Sequence, residues 1–361
     1  MANKARIGII GTGWWATDAH MPAVLAHEDA ELVAACDTDP ARLKAAAQAY
    51  GVECTYSDYA TMLDRETLDG VIVVTPHATH FPITQACLDR GLHVLLEKPM
   101  TLHAAEAKAL VDLAQEKRRE LLIGYPYLYL PQVLRAREVI LSGELGAVQY
   151  VTCSSSTNVS DFLGGHVAQD NSPILSYRVH GPSTAYNQPD MLGGGEGHLQ
   201  ITHSAALMFF VTGLRAQQVS AMMRNHGLEV DLVDVFNVAF EGGAVGMVGG
   251  TGNAGVNYRM ALAVYCEAGC FLADTLARAA MIRRKDGSVE DLTQLPRPRN
   301  RYRVTHNFVN VVLGREENGS PGEVGWRTVE LLDAAYRSAA GNGAVVDVAD
   351  LYPGGSVACD L

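Results

Sequence analysis

The first third of the chain alternates short, almost purely apolar runs with longer mixed ones. RIGIIG (6–11), ELVAACD (31–37), GVIVVTP (70–76), HVLLEKP (93–99) and ELLIGY (120–125) are rich in Val, Ile and Leu and read as strands buried on both faces. Between them, PARLKAAAQAYG (40–51), THFPITQACLDRG (79–91) and LHAAEAKALVDLAQEKRR (102–119) carry polar residues at helical spacing. Strand and helix in strict alternation predict a parallel sheet covered by helices, and ligands then bind beyond the carboxyl ends of the strands. After residue 145 the pattern changes: 146–157, 216–225, 231–252, 259–274 and 279–287 read as strands and hairpins. With 361 residues, two domains are expected, 1–124 and 125–361.

Composition narrows the partners. The chain is 48% hydrophobic and 19% charged, as a soluble protein with sizeable cores would be, and its net charge of −12 argues against nucleic acid. RPRNRYR (297–303) is the one basic cluster and reads as a solvated loop. Seven cysteines without a framework indicate thiols in a reducing compartment. Cys266 and Cys270 flank a turn and lack the further ligands of a zinc site, so no metal is expected. Two glycines break the apolar start, and no stretch is long enough to span a bilayer; a cytoplasmic protein is expected, with no membrane partner.

The candidate chemistry gathers at the strand ends. Gly11, Thr12 and Gly13, followed by Ala16, form a glycine turn between the first strand and a helix, where a pyrophosphate can approach the backbone. Trp14 and Trp15 come next, either walling a cofactor crevice or packing the helix. Asp37 closes the second strand, 24 residues after Gly13, where a carboxylate accepts the adenosine ribose hydroxyls and disfavours a 2′-phosphate; NAD is therefore expected. Asp37 is also placed to cap the following helix. Thr75, Pro76 and His80 lie beyond the next apolar strand, and Glu97 and Lys98 end the one after it.

GGGEGHLQITHSAAL (193–207) admits three readings: a phosphate loop, a metal site or the mouth of a helix. His198 and His203 are five apart, about 140° around an α-helix, and do not grip one metal. The glycines also do not follow a strand of the nucleotide fold. A helix opening that runs on to Gly213 is expected, with Gln200 and Glu196 sharing the face of His203. Tyr127, Tyr177 and His180 are polar candidates in loops near the junction.

Taken in order, the glycine turn, the acidic end of the second strand, TPHATH (75–80), EKP (97–99) and the glycine-led histidine helix resemble the Gfo/Idh/MocA family of sugar and polyol oxidoreductases. The resemblance implies an α/β protein: an N-terminal Rossmann domain, then an α/β domain with an open, mainly antiparallel sheet whose outer face makes a dimer or tetramer. It implies that Lys98 contacts the nicotinamide ribose and the substrate hydroxyl, and that His203 is the acid/base. The family's aspartate, four residues before that histidine, falls on Leu199, a departure that leaves the base open between His203 and Lys98. The expected activity is NAD-dependent oxidation of a secondary hydroxyl in a carbohydrate. Two rival readings are an NAD-retaining glycosidase working by transient oxidation and a catalytically silent NAD-binding regulator.

Overall fold

The computed structural model describes residues 4–166, 178–181, 184–255, 258–276, 279–296 and 302–352. Six strands, β1 (Ala5–Ile10), β2 (Ala30–Cys36), β3 (Cys54–Tyr56), β4 (Gly70–Val73), β5 (His93–Leu96) and β6 (Leu121–Ile123), form a parallel sheet in the order β3-β2-β1-β4-β5-β6. This is the dinucleotide-binding order, with its crevice where β1 meets β4. Burial explains which strands were readable: β4 is buried throughout, whereas β3 is short, partly exposed and absent from the expected set. The helix Pro40–Tyr50 is capped by Asp39, whose side chain accepts from the Ala41 and Arg42 amides, and it stops at left-handed Gly51. The cap role is thus filled by Asp39, two residues beyond Asp37.

A second sheet contains β7 (Val148–Ser156), β8 (Ala216–Arg224), β9 (Val233–Phe240), β10 (Val245–Thr251), β11 (Arg259–Cys266), β12 (Gly269–Asp274), β13 (Ala279–Arg284), β14 (Val289–Asp291) and β15 (Val346–Asp347). Their order is β14-β13-β12-β11-β7-β10-β9-β8-β15; only β7 and β10 pair in parallel, so the sheet is mixed and mostly antiparallel. The helices Pro131–Leu141, Thr202–Thr212 and Gly322–Ala340 pack together and against this sheet. Along β9 and β10 buried residues alternate with exposed ones, and the exposed set includes Val235, Val245 and Met247.

The chain then returns to the first sheet. Phe308, on the helix Arg303–Val312, is fully buried against Gly70 of β4, where a Cβ would lie 2.8 Å from its ring. His20 reaches the same helix through Thr305 at 2.9 Å. The dinucleotide sheet therefore owes part of its cover to residues that follow the second sheet. Phe308→Ala should cost about 3–5 kcal/mol in urea unfolding; a loss below about 1 kcal/mol would show that this helix does not complete the first core.

Candidate active site

Gly11 has φ +91°, and a Cβ there would strike the Val74 carbonyl, so the β1 turn tolerates only glycine. Nothing lies within 4 Å of the Gly13 Cβ position; the turn presents bare backbone to open space, the cradle a pyrophosphate needs. Behind it, Asp37 Oδ2 accepts from the Thr12 amide (2.8 Å) and hydroxyl (3.0 Å), and Oδ1 from the Asp39 amide (2.9 Å). Arg42, which sequence reasoning missed, sits on the same carboxylate through Nε (3.2 Å) and Nη2 (3.0 Å). Burial pushes the Asp37 carboxyl up, but Arg42 and the amides more than offset it and leave it below its ordinary range. The one available signal for Arg42 was its place in the first turn after the strand.

Glu97, at the end of β5, is a buried carboxylate with three partners. Oε1 accepts from Trp15 Nε1 (3.0 Å) and pairs with His20 Nε2 (2.9 Å), while Oε2 accepts from the Lys98 amide (3.1 Å). Burial raises its pKa, yet the His20 hydrogen bond, with the His20 and Lys98 charges, brings it net below the ordinary value. Trp15 is thereby fixed at the crevice, and Trp14 stacks on Phe162 with centroids 6.0 Å apart. His80 is buried and braces the two strand ends, its Nδ1 meeting the Pro99 carbonyl (2.8 Å) and its Nε2 that of Thr75 (2.9 Å). The Thr75 hydroxyl accepts from Thr79 Oγ1 at 2.8 Å, and Pro76 begins the turn over 77–79.

Lys98 crosses to the second layer. Its Nζ donates to the main-chain carbonyl of Leu199 at 2.7 Å, so the residue where a carboxylate was expected supplies a neutral acceptor instead. Burial lowers the Lys98 pKa to about 8 against the opposing charges of Glu97 and Glu196. The Leu199 side chain turns away into an apolar cluster with Val159, Leu163 and Leu232.

The segment Gly197–Ile201 is a π-turn that leads into the α-helix Thr202–Thr212. The α-helical spacing expected from His198 to His203 therefore does not apply here, since a π-turn holds more residues than an α-turn. His203 stands edge-on to Tyr125 and Tyr127, at centroid distances of 5.9 and 5.7 Å. Its Nδ1 is buried with no hydrogen-bond partner, and burial together with the Lys98 charge holds its pKa well below the usual imidazole range. His198 instead stacks on Tyr336 at 4.5 Å. Gln200 is half-buried in the π-turn. The structure thus brings Lys98, His203 and Tyr127 together. It places His180 elsewhere, with Nε2 3.3 Å from the Arg42 carbonyl at the Asp37 end; Tyr177 and most of 297–303 lie outside the described residues.

Comparison with known proteins agrees with the two-sheet fold. Residues 5–125 match the Gfo/Idh/MocA oxidoreductase family's NAD-binding Rossmann fold, and residues 133–272 match its C-terminal domain. D-xylose 1-dehydrogenase (NADP(+)) 2 of Haloferax volcanii is 37% identical over 154 residues, 43% of this chain and 47% of that protein. D-glucoside 3-dehydrogenase of Escherichia coli is 28% identical over 184 residues, 50% of this chain and 52% of its own length. The matched regions thus span about half the length of these curated relatives. Levoglucosan dehydrogenase, solved with NADH and levoglucosan, superposes with a TM-score of 0.77 at 21% identity over 96% of this chain and 100% of its own, a likeness of fold.

Glu97 makes the site acid-sensitive. Its folded pKa is depressed, so its stabilising contribution is complete above the unfolded value of about 4.3 and fades as pH falls through the folded one. Glu97→Gln should cost about 3 kcal/mol at pH 7 and flatten the loss of stability below about pH 4.3, as read by urea unfolding across pH. An unchanged acid limb in the variant would remove Glu97 from this role.

Proposed function

The chain belongs to the Gfo/Idh/MocA oxidoreductase family, and we propose that it is an NAD-dependent dehydrogenase oxidising a secondary hydroxyl of a sugar, polyol or glycoside. The observation that carries this reading is Lys98: a half-buried amine with its pKa lowered to about 8, held by a neutral carbonyl at the crevice, with His203 close enough to feel its charge. The xylose and glucoside dehydrogenases among the relatives support the substrate class.

The dinucleotide, when bound, supplies the acceptor for the hydride. Gly13 would offer it bare backbone on the turn that Gly11 closes, Asp37 would stand at its adenosine end, and Trp15 would wall its crevice. Lys98 takes the proton of the substrate hydroxyl onto Nζ; a base with a pKa near the working pH is the efficient choice. His203, neutral through this range, orients the hydroxyl and is a poorer base than Lys98. Tyr127 stands in the same ring cluster, edge-on to His203.

A charged Asp37 favours NAD, and Arg42 tempers that preference by placing a cation beside the carboxylate. The exposed Met222, Val235, Val245 and Met247 on the second sheet, with the stacked pair Tyr150 and Tyr265, support assembly into a homo-oligomer through that face. No helix among the described residues is long and apolar enough to cross a membrane, and the six described cysteines are free, which fits the cytoplasm.

Three measurements test this reading. Purified protein with NAD and a panel of free sugars, inositols and glycosides should form NADH; aglycone release without net NADH would identify an NAD-retaining glycosidase instead. With the best substrate, kcat/KM should rise with pH and level off above a break near 8, because Lys98 must be neutral to accept the proton. His203→Ala should lose about 10²-fold in rate and keep that break, whereas Lys98→Met should lose more and abolish it; the opposite pattern would make His203 the base. Fluorescence titration should show at least about tenfold tighter binding of NAD than NADP, roughly 1.4 kcal/mol. Arg42→Ala should widen that ratio, and equal affinities in the parent would sink the NAD assignment.

A further inference from the structure

Gly194, Gly195 and Gly197, at the start of the π-turn, are pressed against a part of the protein that the proposed chemistry does not use. A Cβ at Gly195 would overlap the Asp231 backbone, and one at Gly197 would lie 2.7 Å from the Tyr336 hydroxyl. The Asp231 backbone and the Tyr336 ring fill the space left by the missing side chains, and the Asp231 carboxylate takes the amides beside them. Oδ1 accepts from the Gly195 amide (2.7 Å) and the Tyr336 hydroxyl (2.8 Å), Oδ2 from the Gly197 amide (2.9 Å), and the Asp231 carbonyl accepts from the Glu196 amide (2.9 Å). The first amides of a helical segment have no partners of their own, so a carboxylate that takes two of them fixes where the segment begins. The chain of bonds continues inward: the Gly195 carbonyl accepts from the Leu199 amide at 2.9 Å, and the Leu199 carbonyl holds Lys98.

We propose that Asp231, together with Tyr336, is the positioning group of the site: it clamps the glycine turn so that the Leu199 carbonyl stands opposite Lys98. It supplies from outside the helix the orienting carboxylate that residue 199 lacks. The role rests on the dehydrogenase reading for its catalytic consequence, but not for its effect on Lys98. Two neighbouring carboxyls are pushed towards their neutral forms. Burial and the Asp231 charge push the Asp234 carboxyl up to about 10, and burial pushes Glu196 up to about 8 despite its contacts with Thr157. Tyr336 adds a second hold by stacking on His198 within the π-turn.

The test reads Lys98 directly. Around its amine stand Glu97 on its own strand, Glu196 and His198 at the π-turn, His203 one turn on, and His77 and His80 from the neighbouring strand end. Burial is the largest cause of its low pKa, so loosening the clamp lets the amine reach water and raises that value. Competitive acetylation of Lys98, followed by mass spectrometry across pH, should give a midpoint near 8 in the parent. Asp231→Asn puts an amide donor where a second acceptor is needed, and should raise the midpoint by at least about one pH unit. Tyr336→Phe, which keeps the stack and the fold, should move it in the same direction by less. NAD affinity, set in the other layer, should stay within about threefold, while kcat falls at least about tenfold with KM changed less. A loss of melting temperature with the Lys98 midpoint unmoved in both variants would reduce Asp231 to a structural residue and overturn the proposal. A shifted midpoint in a protein that turns over no alcohol would keep the clamp and overturn the dehydrogenase reading.

Discussion

The site depends on one hydrogen bond, from the Lys98 ammonium to the Leu199 carbonyl, which joins residues 101 apart in sequence. On one side the bond is anchored by a parallel strand buried to its end, and on the other by a helix start held at its glycines. Both anchors are rigid for the same reason: their backbone groups are satisfied inside the protein, and breaking any of them exposes a buried polar group. A lysine has a flexible four-carbon stem, so its head is located by what it touches rather than by its own backbone. The carbonyl therefore does as much to place the amine as β5 does.

Glu97 performs the corresponding task beneath the crevice. It is next to Lys98 in sequence, yet its oxygens are engaged by Trp15, His20 and the Lys98 amide rather than by the ammonium. The His20 bond extends through Thr305 to the late helix Arg303–Val312. Glycine turn, lysine strand and C-terminal return are thus tied through one carboxylate. Gly124 makes room for it, since a Cβ at that position would fall within 2.7 Å of the Glu97 carboxyl carbon.

What was legible in the sequence follows from how locally each feature is written. The five apolar strands of the first domain could be read because burial on both faces leaves them almost purely apolar, with Arg6, Glu31 and His93 confined to their first two residues, and Glu97 and Lys98 could be placed because they close such a strand. The three-residue β3 offered no comparable run. Asp37 was visible as the end of a strand, but the pairing of Arg42 with it depends on a side chain reaching back across the first helical turn. Asp231 lies 36 residues from the amide it holds, and no spacing rule connects them. The π-turns at Ala16–His20 and Gly197–Ile201 were invisible because periodicity presumes 3.6 residues per turn. Each reaches the candidate site through one residue, His20 at Glu97 and Leu199 at Lys98, in keeping with the tendency of such turns to occur at working sites.

Replacing a carboxylate by a carbonyl at the lysine changes which group is fit to be the base. A full negative charge about 4 Å from the ammonium, at an effective dielectric near 20, would favour the protonated form by about 4 kcal/mol. That is close to three pH units, enough to keep a lysine charged throughout the neutral range and leave proton removal to an imidazole. Here the charges of Glu97 and Glu196 pull the same way but do not overcome the burial that lowers the Lys98 pKa to about 8. The carbonyl dipole orients the amine without trapping its proton, and His203, lacking a carboxylate on Nδ1, stays neutral. Under the proposed function, leucine at position 199 therefore does not silence the site; the proton passes to lysine rather than to histidine.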